Sequence, residues 1–325
     1  MTKLTVLVAV YNAAPFLKNC LDSLLRQTLR DIQIVCIDDC STDESLFILR
    51  DYSQRDSRIE VIGLSENHGQ AFARNEGLKK ACGQYVCFLD ADDWYDVDAL
   101  EQAVKCFDND GVDAVLFDVS MDYSDHSEIY PLPDFDFLSG KDAFEKSLTW
   151  QIHGVYMVRN EIHQQFPYDT TCRLYSDDNT TRLHYLHSRR VGRCKGVYHY
   201  RQHATSATHL INVRRFDYLK ANESMKSMLL RLNVSRDVLS LYENHRWLNL
   251  VGVYMFYFVH SKELKKDERQ WGLNELQRAW RSIDRTLLTR KTTRKFGYMA
   301  MPTWWLFRVE EWLYFTLRGL IGKNY

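Results

Sequence analysis

No segment of this sequence stays apolar for the roughly 20 residues that a bilayer-spanning helix requires. The nearest approach, WLNLVGVYMFYFVH at 247–260, is too short. A secretory leader is not expected either. MTKLTVLVAVYNAAPF has one Lys and a brief apolar run, then meets Tyr-Asn instead of a small-residue cleavage site, so it is read as a first β-strand. The eight cysteines, at 20, 36, 40, 82, 87, 106, 172 and 194, contain no CxxC pair. Four lie in apolar runs where Cys packs as a small hydrophobe, which fits a reducing cytoplasm. Also missing are the P-loop, the GxGxxG dinucleotide fingerprint, internal repeats and low-complexity tracts. A net charge of −1 gives no pull toward nucleic acid.

What is present is ordinary globular composition, 45% hydrophobic and 26% charged over 325 residues. That length implies one large α/β unit with a helical appendage, or two domains. Apolar runs at 4–10, 32–38, 59–64, 85–90 and 113–119 are dense in Val, Ile and Phe, as strands covered on both faces are. They alternate with helix-like segments, which predicts an α/β fold with a doubly wound, mostly parallel sheet flanked by helices. Pro15 suits a first helical turn, and Ser41 and Glu44 in STDE form a capping box ahead of Leu46. From Cys106 to Gly140 there is no Lys or Arg against nine Asp or Glu, which predicts a solvated connection. Order returns at GVYMVR (154–159), in a helix near 176–189, and at 191–203. Beyond 212 the pattern is helical. The expected division is 1–211, comprising halves 1–120 and 121–211, followed by a helical region, 212–325.

Ligands of parallel sheets bind beyond the carboxyl ends of the strands. Three such ends carry polar residues: Tyr11 and Asn12, Asp38 and Asp39, and Asp90, Asp92 and Asp93. Crowded carboxylates repel one another unless a cation sits among them. Two Asp one residue apart at a strand end can aim oxygens at one point, which suits Mg²⁺ or Mn²⁺ with water and phosphate completing the shell. The alternative is that Asp92 and Asp93 cap the next helix. Tyr11 offers an aromatic face to a base, Asp39 an acceptor for an imide N–H, and Arg74 a permanent cation.

V-A-V-Y-N, I-D-D-x-S-T-D, A-R-N-x-G-L and L-D-A-D-D-W occur in that order across roughly residues 3–120. In these motifs the chain resembles the family 2 glycosyltransferases of GT-A fold, inverting and of bacterial polysaccharide type. The resemblance implies that Val10 and Tyr11 border a uracil-type base, with Asn12 beside them, and that Asp39 and Arg74 contact it. Asp90 would lie near the ribose and the metal, and Asp92 would hold the metal against the diphosphate. Cys40 departs from the pattern, Gly being common there, with a small effect expected. The later segment LYSDDNTTRLHYLHSRRVGRCKGVYHYRQHATSAT resembles the family's acceptor half. By this likeness Asp177 or Asp178 is the general base, with the register between them open, and Arg201 and His203 belong to a loop over the diphosphate. Ser176, Asp177 and Asp178 also form a competent helix N-cap.

The implied activity is metal-dependent transfer of a sugar from a nucleoside diphosphate, UDP first among them, to a glycan or lipid-linked acceptor. A nucleotidyltransferase would show a glycine-rich basic loop after the first strand, which is missing. A receiver domain would end near residue 120, and a catalytically silent sugar-binding module is disfavoured by the intact acidic set. Residues 281–325 hold nine Lys or Arg against three Asp or Glu, with Trp at 304, 305 and 312. This composition suits a membrane interface, on the inner face of the cytoplasmic membrane, or else a helix packed on its own protein or at a homodimer contact.

Overall fold

The computed structural model describes residues 2–172, 175–202 and 213–322. They form two compact units. One comprises described residues 2–172 and 180–202, the other 175–179 and 213–322.

The first unit is built on a ten-stranded mixed sheet. Its strands are β1 (Leu4–Val10), β2 (Ile32–Asp38), β3 (Ile59–Gly63), β4 (Tyr85–Phe88), β5 (Trp94–Tyr95), β6 (Ala114–Asp122), β7 (Ser127–Ile129), β8 (Phe137–Ser139), β9 (Tyr156–Arg159) and β10 (Arg190–Arg201). The order is β3-β2-β1-β4-β9-β6-β10-β5, with β7 on β6 and β8 on β10. The pairs β3/β2, β2/β1, β1/β4 and β6/β10 are parallel. Strand β9 is antiparallel to both neighbours, β4 and β6, and joins the two parallel blocks. The helices are α1 (Ala14–Leu25), α2 (Ser45–Arg55), α3 (Gln70–Leu78), α4 (Ala99–Asp110), α5 (Gly140–Leu148), α6 (Asn160–Gln165) and α7 (Asp177–His187), whose first three residues group with the second unit. Strand β1 is buried along almost its whole length, and α1 lays Leu17, Cys20, Leu21 and Leu24 into the same core. Their spacing of three and four residues is that of one helix face.

Three sequence expectations are corrected. The capping box does not form. Ser41 Oγ accepts from the Asn12 backbone N–H at 3.0 Å, and Asp43 Oδ1 serves Ser45 N–H at 2.9 Å, because tertiary partners outcompete the local pairing with Glu44. Asp92 and Asp93 cap no helix: α4 begins at Ala99, and its N-terminal residue Asp98 makes no side-chain cap. The acidic run 106–140 is not merely solvated. It contributes β6, β7 and β8, and its carboxylates meet side chains supplied later in the chain, Asp118 to Arg193 at 2.8 Å and Asp122 to His199 Nδ1 at 2.8 Å.

Asp113 shows the consequence for stability. It accepts from Arg189 N–H, Nε and Nη2 and from Arg159 Nε, at 2.8 to 2.9 Å. Burial pushes its carboxyl up, but these donors outweigh burial and hold it at about 2. A depressed folded value adds stability that is complete above the unfolded pKa and is lost as pH falls through the folded one. Unfolding followed from pH 7 down should therefore lose about 2 kcal/mol between roughly pH 4 and pH 2. Asp113→Asn should flatten that part of the profile, and an unchanged acid limb would refute this assignment.

The second unit is helical: α8 (Asp217–Arg231), α9 (Arg236–His260), α10 (Lys266–Ser282), α11 (Arg290–Thr293) and α12 (Trp304–Leu320). Its core gathers Trp247, Leu250, Tyr254, Leu276, Phe307 and Phe315. None of the described helices is long and apolar enough to cross a membrane.

Candidate active site

The carboxyl edge of the parallel strands is stitched together by side chains from four segments. Val10 ends β1 with its side chain buried, and its carbonyl accepts Asp39 N–H at 2.8 Å, so it offers backbone only. Tyr11 follows with half its surface exposed, leaving a ring face available to an aromatic ligand. Asn12, at φ 49°, spends its side-chain carbonyl on Thr42 N–H at 2.8 Å. Cys40 sits at φ 60°, the left-handed region where a Cβ is strained. That geometry accounts for Gly being common at this place in the family pattern.

Asp39 is almost fully buried. Its oxygens accept His68 N–H at 2.9 Å and Gly69 N–H at 2.7 Å, with Gly69 at φ 93°. Only glycine adopts that conformation readily, so the Asp39 clamp and Gly69 together set the entry to α3. Each carboxylate oxygen keeps a second lone pair for a ligand N–H.

Arg74, read from the sequence as a cation for the base, lies in α3. It is 2% exposed, wedged 4.0 Å from the Phe88 ring centroid and 5.4 Å from that of Tyr168, and it donates through Nη2 to Asp90 Oδ1. Gln70 Nε2 donates to the same oxygen at 2.8 Å. These contacts tie the acidic turn to α3.

Asp93 is the best buried of the three acidic residues after β4. It accepts from Tyr198 Oη at 2.6 Å and from Arg201 N–H at 2.8 Å, and so ties the acidic turn to β10. Burial, then the charges of Asp90 and Asp92, push its carboxyl up to about 8, against the pull of the Tyr198 hydroxyl. Arg201 donates through Nε to the Asp92 carbonyl at 2.8 Å and lies 4.6 Å from the Trp94 ring centroid. Asp92 is half-buried between these two anchored neighbours. Asp177 and Asp178 occupy the first turn of α7, both half-buried. His203 lies outside the described residues.

Sequence reasoning missed Gln70, Asp93 as an anchor, Trp94, Tyr168 and Tyr198. Asp93 was visible as the third acid of L-D-A-D-D-W, whereas the hydroxyl it binds stands 105 positions further along and carries no local signal.

The donor set suits a hard divalent cation in one particular way. No group of three or more His, Cys, Asp or Glu side chains among the described residues could form a complete protein cage. With Asp90 turned to Arg74 and Asp93 to Tyr198 and Arg201, the corner fits an ion whose shell is completed by phosphate oxygens and water, as Mg²⁺ prefers.

The parallel strands end in an exposed Tyr, a buried Asp and an acidic turn, at the edge where α/β domains bind their ligands. Residues 5–175, more than half of the chain, match the model of glycosyl transferase family 2, and the chain belongs to that family. The likeness read from its motifs is thereby confirmed. The chain is similar to the uncharacterized glycosyltransferase EpsJ of Bacillus subtilis (strain 168), 31% identical over 219 residues that cover 63% of each protein. It is also similar to the putative teichuronic acid biosynthesis glycosyltransferase TuaG of the same organism, 41% identical over 101 residues, 31% of this chain and 40% of TuaG. It thus spans less than two thirds of either relative. The crystal structure of S. aureus TarS 1-349 in complex with UDP-GlcNAc matches with a TM-score of 0.77 at 18% identity, over 99% of this chain and 92% of that one. At that identity the match shows a shared fold.

Proposed function

We propose that the protein is an inverting glycosyltransferase that moves a sugar from a nucleoside diphosphate, UDP in the first instance, to a hydroxyl of a glycan or lipid-linked acceptor in cell-surface polysaccharide synthesis. The observation that carries this reading is the acidic turn after β4, anchored on both sides and facing the same strand edge as Tyr11. Similarity to TarS, solved with UDP-GlcNAc, and to TuaG, a putative teichuronic acid biosynthesis glycosyltransferase, supports donor and pathway class.

In this reading Tyr11 stacks on the base, and the Asp39 clamp on His68 and Gly69 shapes the wall beside it. Asp90, fixed by Arg74 and Gln70, faces the ribose. Asp92, together with Asp90, would hold Mg²⁺ or Mn²⁺, and such an ion would supply Lewis-acid neutralisation of the charge that the diphosphate leaving group acquires. Arg201, anchored to Asp93 and the Asp92 carbonyl, begins the segment leading to His203, and these two are assigned to the diphosphate. Asp177 or Asp178 takes the proton from the acceptor hydroxyl as it attacks the anomeric carbon.

Thermal unfolding with UDP- and GDP-sugars, with and without Mn²⁺, tests the donor assignment. Stabilisation by UDP that appears only with metal is the expected result. Stabilisation by GDP alone, or by no nucleotide, would overturn it.

A further inference from the structure

Helix α12 is amphipathic in the inverted sense. Its two acidic residues, Glu310 and Glu311, point inward and are 3% and 0% exposed. Its outward positions carry Trp305, Val309, Trp312, Leu313, Leu317 and Leu320, with Trp305 69%, Trp312 55% and Leu320 79% exposed. The inner face packs within the helical unit: Phe307 and Phe315 lie against Tyr254 of α9, and Glu310 Oε1 accepts from Gly297 and Met299 N–H at 3.0 and 3.3 Å, whereas neither Glu311 oxygen has a hydrogen-bond partner. Burial and the neighbouring Glu310 push the Glu311 carboxyl up to about 9, so that side chain brings no negative charge at neutral pH.

The charge around this face has one sign. From Leu288 to Gly322 the only acidic residues are these two buried glutamates, whereas Arg290, Lys291, Arg294, Lys295 and Arg308 are exposed. A continuous apolar helix face rimmed by exposed cations matches an anionic lipid surface in both respects. A second copy of the chain would bring cations to cations and no exposed acid from this segment. Trp at positions seven apart places two interface-seeking rings on one line of the helix. With 17 residues and the inward glutamates, α12 cannot cross a bilayer, which leaves an orientation in the plane of the headgroups.

We propose that α12, with the basic segment 290–295, docks the protein peripherally on an anionic membrane. This surface lies in the helical unit and does not depend on the transferase reading. If that reading also holds, the same contact brings the enzyme to lipid-linked acceptors.

Flotation of the full-length chain tests the docking, using vesicles of equal parts phosphatidylcholine and phosphatidylglycerol against phosphatidylcholine alone. The wild type should float with the anionic vesicles only and should be released by high salt. Trp305→Glu with Trp312→Glu, both at exposed positions, should lower the bound fraction at least about tenfold. Reversal of Arg290, Lys291, Arg294 and Lys295 to Glu should do the same, with the thermal midpoint of each variant unchanged as the check on folding. Failure of the wild type to float, or equal flotation of folded variants, would overturn the proposal. So would a concentration-dependent dimer that Trp312→Glu dissolves, in a protein that ignores vesicles, since a second copy would then be the occupant of this face.

Discussion

Asp92→Asn should lower sugar transfer roughly a thousandfold and remove the metal-dependent part of UDP binding, while the unfolding midpoint stays near that of the wild type. The substitution is close to isosteric and deletes the charge that this reading assigns to the cation. The anchors of the turn that its neighbours and its backbone make stay in place. Asp90 receives Arg74 and Gln70, Asp93 receives Tyr198 and Arg201, and the contact of Arg201 Nε to residue 92 is made to a backbone carbonyl that the substitution leaves in place. Asp93→Asn is the informative contrast. Its side-chain oxygen can still accept from the Tyr198 hydroxyl, but an NH₂ donor then faces the Arg201 N–H in a buried position. It should therefore cost stability as well as activity. Undiminished transfer by Asp92→Asn would refute the assignment of that residue.

The second large effect concerns the base. One of the two variants Asp177→Asn and Asp178→Asn should lose a factor of about 10² to 10⁴ in turnover, the range that a positioned general base contributes. Its affinity for UDP should stay within a few-fold of the wild type, because the base serves the acceptor and not the donor. The other variant should show a smaller loss. This separates catalysis from capping: both residues stand in the first turn of α7, where loss of an acidic side chain alone costs on the order of 1 kcal/mol of stability and has no claim on turnover. Two variants that both turn over at the wild-type rate would remove the base from this helix.

The strands of the nucleotide half were legible because a strand covered on both faces must be apolar almost throughout, and β1, β2 and β4 are. The acidic residues after β4 were legible for the opposite reason, since four Asp in seven positions contradict the apolar run before them. The roles of Asp90 and Asp93 were not. Each is set by a partner on another segment, Arg74 from α3 and Tyr198 from β10, and no local pattern announces a partner 105 positions away. The insertion of β9 antiparallel between two parallel blocks was likewise hidden, since four apolar residues read alike in either direction. The acidic run 106–140 was judged by its own composition, whereas the side chains that answer it, Arg159, Arg189, Arg193 and His199, lie on later strands and turns. Ser41 failed as a cap for the same physical reason, a distant backbone N–H being the better donor.

Diffraction from crystals soaked with manganese and UDP, recorded to show the metal's anomalous signal, examines the acidic corner itself. A peak beside the Asp92 carboxylate, bridged to both phosphates with the uracil on Tyr11, is the predicted result. Bound UDP with no metal at that position, or a corner that takes up neither, would contradict the account.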